Sequence, residues 1–234
     1  MYPKLKALII SGGPAHEYQT TSLKLREILA GAGLESEITD DPGMLASPGM
    51  GDFRVVVLNC ARWTCDQTPQ WRDEWRYLVP QGARDGLVGH LESGGGLLAL
   101  HAATICFDDW PEFREIIGAW WRWGVSSHSP YSTHLMRVRG GSHPIIQGLQ
   151  DFTIMDELYT DQQLTGPVNP LVTAEWGGGE HPVLWTGDYR GGKVCYCALG
   201  HGVESFENTS FQGLVQRSSM WVADSGDGIS EAGE

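Results

Sequence analysis

The chain has 234 residues, 41% of them hydrophobic, enough to build one sizeable core. Its formal net charge is -13, and its 16 basic residues are scattered, which excludes a surface made to meet phosphates. Neither nucleic acid nor an anionic membrane is therefore expected as a partner, and a homo-oligomer is left open.

The opening MYPKLKALIISGG has an apolar run too short to span a membrane and no small-residue cleavage site, so a soluble, cytoplasmic protein is expected. No stretch of the middle reads as a linker. We expect one domain over residues 1–224 and an acidic, disordered tail over 225–234.

In chain order, KALIISG (6–12) is a buried strand, and TTSLKLREILAGAG (20–33) has helical spacing at Leu23, Leu25, Ile28 and Leu29 before it stops at glycine. LESEIT (34–39) alternates as a strand does, and FRVVVLNC (53–60) is a second buried run. A charged, tryptophan-rich helical region is expected from Pro69 to Leu91, then the strand GLLALHA and a shorter helix, PEFREIIG. Strands apolar on both faces, separated by helical crossovers, predict an α/β fold: a flavodoxin-like, doubly wound, mostly parallel sheet with helices on both faces.

The C-terminal half reads as less regular. An aromatic loop, AWWRWGVSSHSPYSTHL, leads into the strand THLMRVR; PVLWTGDYRGGKVCYCALG reads as a hairpin turning at Tyr189 to Gly192, and TSFQGLVQRSSMWVA as a closing helix. The five cysteines, Cys60, Cys65, Cys106, Cys195 and Cys197, form no paired C-x-x-C knuckles and read as reduced packing thiols. Cys195 and Cys197, two apart in a strand, share a face.

Several familiar chemistries are missing from the motifs. SGGPAHEY after the first strand has neither Rossmann spacing nor a P-loop lysine, and there is no G-x-S-x-G or H-E-x-x-H. What stands out is the placing of histidines. Ligands of open α/β sheets bind beyond the carboxyl ends of the strands. His16 follows the first strand, His101 ends the strand GLLAL, and His201 follows KVCYCALG, so three segments deliver an imidazole to one edge.

The ordered set GGGLLALHAA, His134 before a strand, HPIIQGLQDFTIMDELY, HPVLW and GGKVCYCALGH resembles the ThuA-like family, named for a trehalose-utilisation protein. The resemblance runs from KALIISGG to the last helix. It implies a fold like that of class I glutamine amidotransferases, with one departure: where those enzymes carry a nucleophilic cysteine, this chain has His101, then Ala102 and Ala103. Cys106 would have to fold back to replace it, and glutaminase activity is not expected.

The family context implies sugars: a disaccharide or glycoside of the trehalose kind, or its 3-keto form, whose C–H beside the carbonyl is acidic enough for acid-base chemistry. The candidate catalytic residues are His101 and Glu157, one the proton acceptor and the other its partner, with His16 and His201. Candidates for binding substrate are Trp63, Trp121, Trp123, Tyr159, His134 and Asp156, with Arg62, Trp120 and Tyr131 nearby. A competing role is a divalent metal such as zinc, with His101, His134, His201 and Glu157 as candidate ligands and His128 as a further one. His90 reads as packing, and His143 and His181, each before a proline, as turn-fixing residues. Two other functions stay open: a non-catalytic sugar-binding or regulatory module, and a metal-dependent hydrolase of another substrate.

Overall fold

The computed structural model describes residues 5–224, so the tail expected over 225–234 lies outside the described residues. One sheet of nine strands runs through both halves of the chain. Its parallel part is β1 (Leu5–Gly12), β2 (Leu34–Thr39), β3 (Val55–Cys60), β4 (Gly96–Leu100) and, from the far end of the sequence, β13 (Gly192–Cys197). The antiparallel part is β7 (Ser132–Val138), β8 (Phe152–Asp156), β11 (Val172–Trp176) and β12 (Gly179–Tyr189), giving the order β2-β1-β3-β4-β13-β12-β11-β7-β8, while the two-residue strands β5 (Ala119–Trp120) and β10 (Gln163–Leu164), and β6 (Ser127–His128) and β9 (Tyr159–Thr160), pair apart from it. The central strands β3 and β4 are buried along their whole length, which is why they read as unbroken apolar runs.

The helices are α1 (Tyr18–Gly31), α2 (Arg72–Trp75), α3 (Gln81–Glu92), α4 (Pro111–Ile117), α5 (Val203–Glu207) and α6 (Thr209–Ala223). Side-chain alternation along β13 assigns them to faces. A Cβ on Gly192 would meet Leu91 of α3, and Trp185, opposite Tyr196, donates from Nε1 to the Ile117 carbonyl of α4. Cys195 and Cys197 point the other way, towards α6, beside which α1 and α5 pack. Helices thus cover both faces.

Single groups explain the local boundaries. Arg190 (φ 51) and Gly191 (φ 95) form a two-residue left-handed turn between the paired Tyr189 and Gly192, the geometry that suits a twisted hairpin. Asn208 caps α6, its Oδ1 accepting from the N–H groups of Ser210 (3.0 Å) and Phe211 (3.1 Å).

The helical region expected from Pro69 to Leu91 is instead a short turn at Pro69–Trp71, the single-turn α2, an extended stretch and then α3. Pro80 disfavours helical geometry at Val79, and the Asp109 carboxylate takes the Val79 N–H at 3.2 Å and the Arg84 guanidinium at 2.7 Å. His181 is also corrected: it lies within strand β12, since a residue preceding proline prefers extended backbone as readily as a turn. His143 accepts from the Ile145 N–H at 3.3 Å within a turn, and His90 is buried in α3 with Nε2 3.1 Å from the Gly96 carbonyl oxygen.

Candidate functional site

The carboxyl ends of β1, β3, β4 and β13 share one edge, and strand order reverses there between β1 and β3. At the end of β1, a Cβ on Gly13 (φ +134) would sit 2.3 Å from the Ala61 carbonyl oxygen. Only glycine lets the chain cross so close to the end of β3 before it turns to present His16. Beneath, Asn59 Nδ2 donates to Ser22 (2.9 Å) and Thr21 (3.1 Å), and Ser22 to Ser11 (2.8 Å), tying β1 and β3 to the start of α1.

His101 is the first residue after β4 and is left-handed, with φ 41. The residue is 2% exposed. Nδ1 lies 2.7 Å from the Ala198 carbonyl oxygen, the Tyr196 hydroxyl donates to the His101 carbonyl at 2.8 Å, and the Tyr159 ring packs on the imidazole with centroids 4.2 Å apart. His16 is half-buried, its Nδ1 3.2 Å from both the Pro14 carbonyl oxygen and the Tyr18 hydroxyl. His201 follows β13, half-buried.

These three imidazoles meet. Their centroids are 4.6 Å apart for His16 and His201, 5.1 Å for His16 and His101, and 5.3 Å for His101 and His201. Direction alternates across β12, β11 and β7, so β8 runs the same way as β13 and its carboxyl end reaches the same edge. Glu157 follows immediately, with Oε2 3.0 Å from His201 Nδ1 and Oε1 3.4 Å from His128 Nδ1.

The electrostatics follow from this crowding. Burial, then the neighbouring His201, lower the His16 pKa to about 4. Burial, then His16, hold His101 well below the ordinary imidazole value. For Glu157, burial disfavours the carboxylate but His201, His128 and His16 outweigh it, so its pKa is lowered. Two neutral imidazoles thus stand beside an ionised carboxylate at neutral pH.

Not every expected residue reaches this centre. Asp156 is fully buried and accepts the N–H groups of Gly200 (2.8 Å), His201 (3.1 Å) and Glu157 (2.8 Å), so it positions the site and cannot touch a substrate. Burial pushes its carboxyl up to about 6 against those three donors. His134 is buried in β7 with Nε2 2.9 Å from Ser129 Oγ and 3.1 Å from Ser132 Oγ, and its ring meets Trp176, so it stands outside the histidine cluster. Trp63 is 2% exposed, donates to Thr68 Oγ1 at 3.0 Å and belongs to a small apolar core with Tyr18, Ala61, Cys65 and Ala102.

Trp121 and Trp123 are half-buried, 6.1 Å apart, and Trp121 lies 4.9 Å from Tyr159. Trp120 turns away, under the Arg114 guanidinium. The Arg62 guanidinium donates to the Asp40 carbonyl at 2.8 Å, and Tyr131 packs 5.1 Å from His201 while donating to Glu204. Cys106 is buried with Sγ 3.7 Å from Cys60 Sγ and does not fold back. Tyr18 escapes sequence reading because it lies in a helix start where nothing distinguishes it from core; its spacing of two from His16 is the only signal.

A family model described as ThuA, trehalose utilisation, matches residues 6–222. The chain belongs to the ThuA family. That membership links this ThuA chain to carbohydrate metabolism. Among solved structures it is similar to a ThuA-like protein of Parabacteroides merdae (22% identity, TM-score 0.78, covering 94% of this chain and 90% of that one). It is also similar to a ThuA-like protein of Bacteroides uniformis (20%, TM-score 0.71, 94% and 91%) and a cytoplasmic protein of Salmonella typhimurium LT2 (14%, TM-score 0.66, 93% and 99%). At these identities the likeness shows the fold. A search of curated proteins finds no match. Among the described residues no helix is long and apolar enough to cross a membrane.

Proposed function

We propose that this chain is a cytoplasmic enzyme of carbohydrate metabolism that acts by acid-base chemistry on a disaccharide or glycoside of the trehalose kind carrying a ketone at carbon 3. The observation that carries the reading is the meeting of Glu157 with His16, His101 and His201 at the carboxyl edge of the sheet. A lone carboxylate beside a sugar needs no such convergence.

In this reading Glu157 removes the proton from carbon 2, beside the ketone. The C–H electrons form a carbon 1–carbon 2 double bond, the glycosidic C–O bond breaks, and the departing oxygen takes up the proton that Glu157 has gained. Return of the proton to the ring carbon would instead isomerise the sugar. His16 and His101 present ring lone pairs as acceptors, and Trp121 and Trp123 offer flat faces to the C–H face of a sugar. Tyr159 backs His101.

An NMR time course of the protein with trehalose and, separately, its 3-keto derivative tests the proposal. Loss of the keto compound alone, with a new alkene or released sugar, supports it. Unchanged spectra for both sugars, with binding still detectable, would move the function to a sugar-binding module.

A further inference from the structure

His16 and His101 each hold one ring nitrogen against a backbone carbonyl and leave the other without a partner. The carbonyl oxygens of Ala198 and Pro14 can only accept, so Nδ1 of His101 and of His16 carries the ring hydrogen and Nε2 presents a lone pair. Both Nε2 atoms are buried and without a partner, as is Nδ1 of His201 by hydrogen-bond geometry, although it lies 3.0 Å from Glu157 Oε2. One ring nitrogen from each of the three residues lies within 4.8 Å of the other two.

Buried lone pairs directed into one space repel an anion. A water molecule has two hydrogens and leaves one of three acceptors unmet. A cation meets all three at once. An ion held at about 2.0–2.1 Å by three imidazole nitrogens in tetrahedral spread places the ring centroids about 5 Å apart. The observed separations are 4.6, 5.1 and 5.3 Å.

We propose that His16, His101 and His201 together bind one divalent first-row transition ion of the zinc type. An all-nitrogen set disfavours magnesium and calcium, which take oxygen ligands. Three protein ligands leave a coordination position for a substrate or water oxygen. The Pro14 and Ala198 carbonyls are the outer partners that orient the His16 and His101 rings, and the Glu157 carboxylate beside His201 Nδ1 adds negative charge that favours a cation. His16 thus takes the place among the ligands that sequence reading offers to His134. Such an ion would give a sugar ketone the electrophilic partner that ring lone pairs cannot. The site stands on its own geometry and does not depend on the sugar reading.

The test uses the full chain without an affinity tag, stripped by chelator and titrated calorimetrically with zinc chloride, alongside His16→Gln, His201→Gln and His134→Gln. One ion per wild-type chain is expected. Each of the first two substitutions should weaken binding roughly 100-fold or more, while His134→Gln leaves it unchanged. His16 and His201 are only half-buried, so both variants should fold, which circular dichroism checks; if one does not, the other decides. No saturable binding by wild type, equal binding by His16→Gln and His201→Gln, or equal loss in His134→Gln would overturn the proposal.

Discussion

The buried carboxylate of Asp156 accepts the backbone N–H of His201 at 3.1 Å. Its other oxygen takes the Gly200 N–H at 2.8 Å, and Oδ1 also takes the Glu157 N–H at 2.8 Å. One side chain therefore sets the backbone beneath both members of the Glu157–His201 contact, although the two come from strands far apart in the chain.

Replacing Asp156 by alanine removes the acceptor of three buried N–H groups, each costing about 1–3 kcal/mol when left unpaired. Urea unfolding should show Asp156→Ala less stable by roughly 3–5 kcal/mol, with Asp156→Asn intermediate because one amide oxygen still accepts. Wild-type stability in the alanine variant would mean that the carboxylate does not hold this loop.

His101 sits at φ 41, where a Cβ is unfavourable. Substituting it tests that strain without reference to chemistry. Both His101→Gly and His101→Ala lose the ring, but glycine accepts the left-handed backbone and should leave the protein about 1 kcal/mol more stable than alanine does. Equal stabilities in urea would show that the turn relaxes once the imidazole is gone.

The Tyr196 hydroxyl donates to the carbonyl of that same strained residue at 2.8 Å. Tyr196→Phe keeps the packing against Trp185 and removes the hydroxyl donor from that carbonyl, so unfolding free energy should fall by roughly 0.5–1.5 kcal/mol, the usual net contribution of one hydrogen bond. A loss smaller than about half a kcal/mol would place that carbonyl in contact with another donor.

The edge where His101 stands is legible in GGGLLALH. A run apolar on both faces is a central strand, and a polar ring at its end has only the ligand edge to occupy. The same logic finds His16 and His201, because each follows a buried strand. Its failures have physical causes. Trp63 also follows a central strand, yet Thr68 and the small core around Tyr18 turn it inward, a tertiary outcome that spacing does not encode. Which carboxylate of MDELY faces the imidazoles depends on β8 returning to the direction of β13 through four successive antiparallel pairings, which local spacing does not encode. Strand alternation alone places Asp156 and Glu157 on opposite sides and leaves open which side is the site.

The proton acceptor is the centre of the functional account, and exchange with solvent tests it most directly. The 3-keto sugar is incubated in heavy water with wild type or with Glu157→Gln, and deuterium at the carbon beside the ketone is followed by NMR. The account predicts label well above the enzyme-free background with wild type, and a rate lowered roughly 100-fold or more in the variant, the usual contribution of a positioned general base. Background exchange with wild type while the sugar binds, or undiminished exchange in Glu157→Gln, would contradict it.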